Sequence, residues 1–161
     1  MTQQTIVIVN TGCANISSVK FALERLGVSV TVSDDPAVIK GADKVFLPGV
    51  GAAGAAMTSI TAKQLIPTLQ GLTQPVLGVC LGMQLMVEQS DEATTGTIDC
   101  LKLLPGHVKR MQAGELRLPH MGWNTISPVG DSPLFKGLGE GTYFYFVHSF
   151  AVPVYEHTLA S

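Results

Sequence analysis

Cys80 stands between two glycines in the run Pro75-Val76-Leu77-Gly78-Val79-Cys80-Leu81-Gly82-Met83-Gln84. Val76, Leu77 and Val79 favour a strand, and the residues from Gly82 onward read as the first turns of an apolar helix. The cysteine is therefore expected on a strand-to-helix turn. A Gly-x-Cys-x-Gly turn is the thiol counterpart of a nucleophile elbow, in which neighbours without side chains permit a sharp backbone that pushes the nucleophile out over a sheet. A following helix brings unpaired amides and a positive dipole end, which favour a thiolate and can hold an oxyanion. The elbow alone leaves two readings open: a reactive nucleophile, or a small buried hydrophobe, the ordinary fate of a free cysteine.

A second glycine-rich stretch, Pro48-Gly49-Val50-Gly51 followed by Ala52-Ala53-Gly54, forms a loop whose backbone amides could approach a ligand closely. It lacks the Lys-Ser/Thr of a phosphate loop, and by itself reads as a plain turn rather than an anion site.

The elements that position these loops follow from periodicity. Thr5 to Val9 is a continuous β-branched run, as expected for a strand covered on both faces of a parallel sheet. Val19, Ala22, Leu23 and Leu26 then recur at helical spacing, closed by Gly27. Val28 to Val32 reads as a second strand, Asp34-Asp35-Pro36 as the start of a short helix, and Lys44 to Leu47 as a third strand. A helix through Met57, Ile60 and Leu65 leads back to Pro75. This rhythm predicts a doubly wound, mainly parallel α/β sheet flanked by helices. Its ligands are expected at the carboxyl ends of the strands, where both the Gly49 loop and Cys80 fall.

Beyond about Ser90 the pattern changes to short strand-like pieces at Leu101 to Leu104, His107 to Met111 and Leu118 to Ile126. Pro105-Gly106, Gly114 and Ser127-Pro128 mark turns, so this half is read as antiparallel strands appended to the parallel sheet. Pro133 to Leu138 is expected to make a single helical turn. Thr142 to Phe150 is apolar on both alternating faces, which predicts a strand buried from two sides.

The 161 residues fit a single domain spanning 1–161. Hydrophobic residues make up 46% and charged ones only 14%, so the chain is expected to bury much of its surface in a core or against a partner. A net charge of −2 with scattered Lys and Arg gives no basic stripe for nucleic acid. No apolar run approaches a membrane span, and the first residues lack the cationic start of a signal peptide. Cys13, Cys80 and Cys100 are odd in number without C-x-x-C spacing, which argues against a disulfide framework and a zinc site and fits a reducing cytoplasm.

Four segments together, Pro48-Gly49-Val50-Gly51, Gly78 to Gln84, His120-Met121-Gly122-Trp123-Asn124 and Tyr145-Phe146-Val147-His148-Ser149, resemble class I glutamine amidotransferases. The likeness is strongest to the histidine-pathway branch, whose members are glutaminase subunits, and it runs from Ile6 to Pro153. The resemblance implies a flavodoxin-like sheet with no metal and no cofactor. It implies that Cys80 attacks the side-chain amide of glutamine, forming a glutamyl thioester and releasing ammonia. The oxyanion would be met by the amide of Leu81 and by one from Gly49, Val50 or Gly51, in a loop that reorients before it donates well. Gln84 and the backbone at Ser149 and Phe150 would hold the glutamine. Ammonia would pass to a cyclase partner of (β/α)8 type in a heterodimer, yielding imidazole glycerol phosphate and an aminoimidazole carboxamide ribotide. Asn15, His120, Met121, Gly122, Trp123 and Asn124 would face that partner.

The family also carries a His-Pro-Glu motif, in which His is the base for the cysteine and Glu orients it. None of His107, His120, His148 and His157 is followed by Pro-Glu. The expectation is a form lacking its last strands and closing helix, inactive as it stands. A non-catalytic regulatory subunit of the same fold and another elbow-cysteine enzyme are the alternatives; Gln84 and the His120 to Asn124 segment disfavour the latter.

Overall fold

In the computed structural model, which describes residues 4–139 and 141–161, strand β1 (Ile6–Val9) is buried at every position, as its β-branched run requires. Asp43 fixes where it begins: its carboxylate accepts from the Thr5 amide at 2.7 Å and the Thr5 hydroxyl at 2.8 Å. Helix α1 (Ile16–Arg25) is capped by the Asn15 side chain, which accepts from the Ser18 amide, and ends before Gly27, whose φ is 77°. Its Val19, Ala22 and Leu23 are half-buried, whereas Leu26, one step further along the same stripe, is 77% exposed.

Strand β2 (Val30–Ser33) follows, then helix α2 (Pro36–Lys40), where Asp35 accepts from the Ala37 amide and Pro36 occupies the first turn. Strand β3 (Lys44–Gly49) runs two residues further than the apolar run suggested. Helix α3 (Ala53–Ala62) starts earlier than expected and takes Gly54 into its first turn; Leu65 precedes a separate short helix, α4 (Ile66–Gln70). Strand β4 (Val76–Cys80) leads directly into helix α5 (Leu81–Gln84). The four strands are parallel in the order β2-β1-β3-β4, the arrangement that right-handed crossovers produce in a doubly wound sheet. Leu47, Ile60, Leu65, Leu69, Leu81, Leu85 and Leu101 are essentially solvent-free and form its core with Val9 and Ile39. Each contributes about 1.5–3 kcal/mol by leaving water.

Strand β5 (Gln89–Ser90) pairs antiparallel with β6 (Ile98–Asp99) and parallel with the start of β7 (His107–Arg110). The segment Leu101 to Leu104, expected as a strand, is not one; its amides instead reach back to the carbonyls of Leu85, Met86 and Val87.

The chain divides after Val108 into two units. In the second, β8 (His120–Thr125) and β9 (Tyr143–His148) form an antiparallel ribbon, and β10 (Phe150–Ala151) pairs with Lys109 and Arg110. Pro133–Phe135 is the expected single turn, in 3-10 form with Ser132 as its cap. Among the described residues, every buried one lies at or before Val108. The expectation that Thr142 to Phe150 is buried from both sides is thus corrected. Tyr143, Tyr145 and Val147 are 63%, 55% and 49% exposed, while Phe144, Phe146 and His148 are half-buried. Within this unit the strand has one ribbon partner, β8, which shields its edge and leaves one face to solvent.

Candidate active site

The register of β3 and β4 puts Gly49 directly across from Cys80 at the carboxyl end of the parallel sheet. Cys80 has φ 54° and ψ −121° and is exposed. A left-handed φ at a non-glycine residue costs roughly 1–3 kcal/mol and is tolerated where the surroundings impose it. The strain therefore falls on the cysteine itself. Its flanking glycines lie outside the left-handed region and serve another purpose: close packing. A Cβ on Gly82 would overlap the Leu47 carbonyl oxygen and come 2.7 Å from its carbon. One on Gly78 would lie 2.6 Å from the Met83 amide nitrogen and 2.8 Å from Met86 Sδ, and one on Gly49 would lie 2.6 Å from the Gly82 nitrogen. Three missing side chains let the turn after Cys80 sit flat on the ends of β3 and β4.

That turn is shorter than the sequence suggested. α5 is one turn of four residues, closed by the Leu85 amide on the Leu81 carbonyl at 2.9 Å, too short to sum into the dipole of a long helix. Leu81 is buried and Gln84 half-buried. In the facing loop Gly51 takes φ +88°, and the Val50 amide donates to the Cys13 carbonyl at 3.2 Å. Val50, proposed from the sequence as an oxyanion donor, holds its N–H on the turn after β1 in this conformation.

The other cysteines are placed differently. Cys13 is half-buried with its thiol 3.8 Å from the Ala55 carbonyl oxygen. Cys100 is buried, and desolvation, reinforced by the charge of Asp99, pushes its thiol up to about 11.

In the second unit the ribbon alternates faces. Met121, Trp123 and Asn124 are exposed, His120 and Gly122 half-buried. Trp123, at 69% exposure, is not a core tryptophan, and it meets Tyr145 edge-on at 5.6 Å. His120 stacks on Phe146 at 5.3 Å and faces His148 at 5.5 Å. Ser149 spends its carbonyl on the Met111 amide at 2.9 Å, and the Phe150 carbonyl lies 3.0 Å from His148 Nδ1. Asn15, in the first unit, is exposed at the cap of α1.

Two acidic residues were not singled out from the sequence. Glu92 is half-buried, and its desolvation raises the carboxyl above its ordinary value against an opposing bond from the Ala53 amide, at the start of the helix that follows the Gly49 loop. Asp91 accepts from Thr97 Oγ1 at 3.0 Å and lies 2.6 Å from His107 Nε2. An acidic pair directly after a two-residue strand was the available signal. Among the described residues no group of three His, Cys, Asp or Glu could hold a metal ion.

A parallel sheet ending in a strained cysteine opposite a glycine loop defines a class of α/β proteins with a thiol at the elbow. The chain belongs to the glutamine amidotransferase class-I family, whose model matches residues 7–160. It is 56% identical over 173 aligned positions to the imidazole glycerol phosphate synthase subunit HisH of Colwellia psychrerythraea, covering 100% of this chain and 77% of that protein. To subunit HisH 1 of Vibrio vulnificus it is 55% identical over 163 positions, covering 99% and 80%. A crystal structure of a glutamine amidotransferase shares the fold, with a TM-score of 0.71 at 16% identity over 96% of this chain and 78% of that one.

Proposed function

We propose that this chain is the glutaminase subunit of an imidazole glycerol phosphate synthase, acting in histidine biosynthesis in the cytoplasm. The observation that carries the reading is the exposed, strained Cys80 opposite Gly49. The glutamine amidotransferase family and the similarity to HisH subunits support glutamine as the substrate and a second synthase subunit as the partner.

In this reading the Cys80 sulfur attacks the side-chain carbonyl carbon of glutamine. A C–S bond forms and the carbonyl π pair moves to oxygen, where the Leu81 amide and a Gly49–Gly51 loop amide receive it. Val50 can serve only after its N–H leaves the Cys13 carbonyl. Collapse breaks the C–N bond, the nitrogen takes a proton and leaves as ammonia, and water then cleaves the thioester to glutamate and restores the thiol. Gln84 holds the substrate, and the family resemblance gives the same role to the backbone at Ser149 and Phe150. Ammonia passes to a cyclase subunit of (β/α)8 type docked on Asn15 and on the β8 face that includes Met121 and Trp123.

The base is a His-Pro-Glu histidine that these 161 residues do not contain. His107 is engaged with Asp91, His148 with the Phe150 carbonyl, His120 with Phe146, and His157 lies 3.7 Å from Glu156. A polypeptide of residues 1–161 alone is therefore inactive in turnover, because losing a triad member removes several orders of magnitude in rate.

The test is labelling by a glutamine-like diazoketone, mapped by mass spectrometry, with and without glutamine. An adduct at Cys80 that glutamine protects supports the reading; no adduct there, or one indifferent to glutamine, overturns it. Glutamate release by 1–161 above a Cys80→Ala blank would overturn the assignment of the base.

A further inference from the structure

Strands β8 and β9 set His120 directly opposite His148. Opposed residues on antiparallel strands have Cβ atoms about 4.5–5.5 Å apart, so the two imidazoles share one face of the ribbon. It is the face turned away from Met121 and Trp123, because alternate residues of a strand point to opposite sides. Both rings are half-buried, and their centroids lie 5.5 Å apart with the planes tilted by 59°. Two imidazoles that bind one ion through nitrogens about 2.0–2.1 Å from it have centroids roughly 5 Å apart. The fold thus brings the pair close to that spacing by itself.

Two further contacts prepare it. His148 Nδ1 lies 3.0 Å from the Phe150 carbonyl oxygen; a carbonyl only accepts, so Nδ1 carries the proton and the neutral ring keeps its lone pair on Nε2. Metal-ligating histidines are oriented in the same manner, with the other ring N–H given to a backbone carbonyl. His120 is held by packing instead, its ring stacked on Phe146 at 5.3 Å with 22° between the planes. Among the described residues neither of its nitrogens has a hydrogen-bond partner. Phe146 also stands 5.8 Å from His148, so one apolar ring restrains both imidazoles. Nitrogen donors of this kind suit zinc, copper and nickel rather than calcium or magnesium, which take oxygen ligands.

We propose that His120 and His148 form a two-imidazole site for a divalent transition cation, with Zn2+ as its simplest occupant, on the face of the ribbon opposite Trp123. The ion takes Nε2 of His148 and one ring nitrogen of His120, and water or an external ligand completes its coordination. The site is separate from the Cys80 elbow and stands or falls independently of it.

The experiment titrates Zn2+ into the 161-residue chain, its reactive thiols first alkylated so that cysteine does not compete, and follows the imidazole nitrogens by long-range proton–nitrogen NMR. Saturable shifts are expected at His120 and His148 together, at one ion per chain, with His148 changing at Nε2 while Nδ1 keeps its proton. His120→Gln and His148→Gln should each weaken binding at least tenfold, since losing even a partner that merely orients a ligand costs about 10–100-fold. His107→Gln should leave binding unchanged. Circular dichroism checks that each variant folds, and where one does not, the spectrum of the parent chain decides alone. No saturable shift, a shift at one of the two histidines only, coordination through His148 Nδ1, or saturation with His107 or His157 as the ligand overturns the proposal.

Discussion

Gly82 lies so close to the Leu47 carbonyl that a Cβ there would overlap the oxygen. The contact joins α5 to β3 through backbone alone, and it fixes the height of Cys80 over the sheet. Leu47 is fully buried and paired with Gly78 across β4, so it cannot move aside without opening the core.

Gly82→Ala is consequently expected to cost about 3 kcal/mol or more, at the upper end of overpacking effects, since the obstacle is backbone rather than a flexible side chain. Urea unfolding gives the number. A loss below about 1 kcal/mol would mean that the turn shifts freely and that the packing described here does not fix Cys80.

Thiol chemistry should discriminate sharply among the three cysteines. Cys80 is exposed, Cys13 half-buried, and Cys100 both buried and held protonated with its pKa near 11. Only the thiolate reacts, so at neutral pH iodoacetamide should modify Cys80 first and Cys100 last. Peptide mapping of a time course checks the order; early modification of Cys100 would contradict its placement.

Trp123→Ala should leave stability within about 0.5 kcal/mol, as for an exposed position, and weaken association with the cyclase by roughly 2 kcal/mol or more if the tryptophan anchors that contact. Paired thermal unfolding and titration calorimetry separate the two effects. Unchanged affinity would remove Trp123 from the interface.

Asp43 gives a pH signature. Its carboxyl is held below the ordinary value first by the Thr5 amide and then by the Thr5 hydroxyl. A lowered folded-state pKa means that the unfolded chain binds the proton more readily. The contribution is therefore complete above the ordinary carboxylate range and is lost as pH falls through the lowered value. Asp43→Asn should flatten that part of the stability profile, measured by denaturation from pH 6 down to about 2. A parallel profile in both proteins would show that Asp43 does not anchor β1.

What the sequence determined by itself was whatever local pattern enforces. The β-branched run at Ile6, the Asp35-Pro36 helix start and the Gly-x-Cys-x-Gly turn each restrict backbone angles within a few residues, and each stands where expected. The parallel direction of the strands followed from the alternation of strands and helices, whereas their order was seen only in the folded sheet. The tertiary structure decided what depends on partners distant in the chain. The elbow glycines matter for contacts with Leu47 and Met83, and Leu47 is distant from the motif in the chain. The Val50 amide is occupied because Cys13, 37 residues earlier in the sequence, offers a carbonyl. The apolar run at Tyr143 to Phe150 looked buried on both faces because alternation records hydrophobicity alone; what covers a face is set by the strands and helices packed on it. Periodicity constrains the direction a side chain takes, and only packing supplies what it meets there.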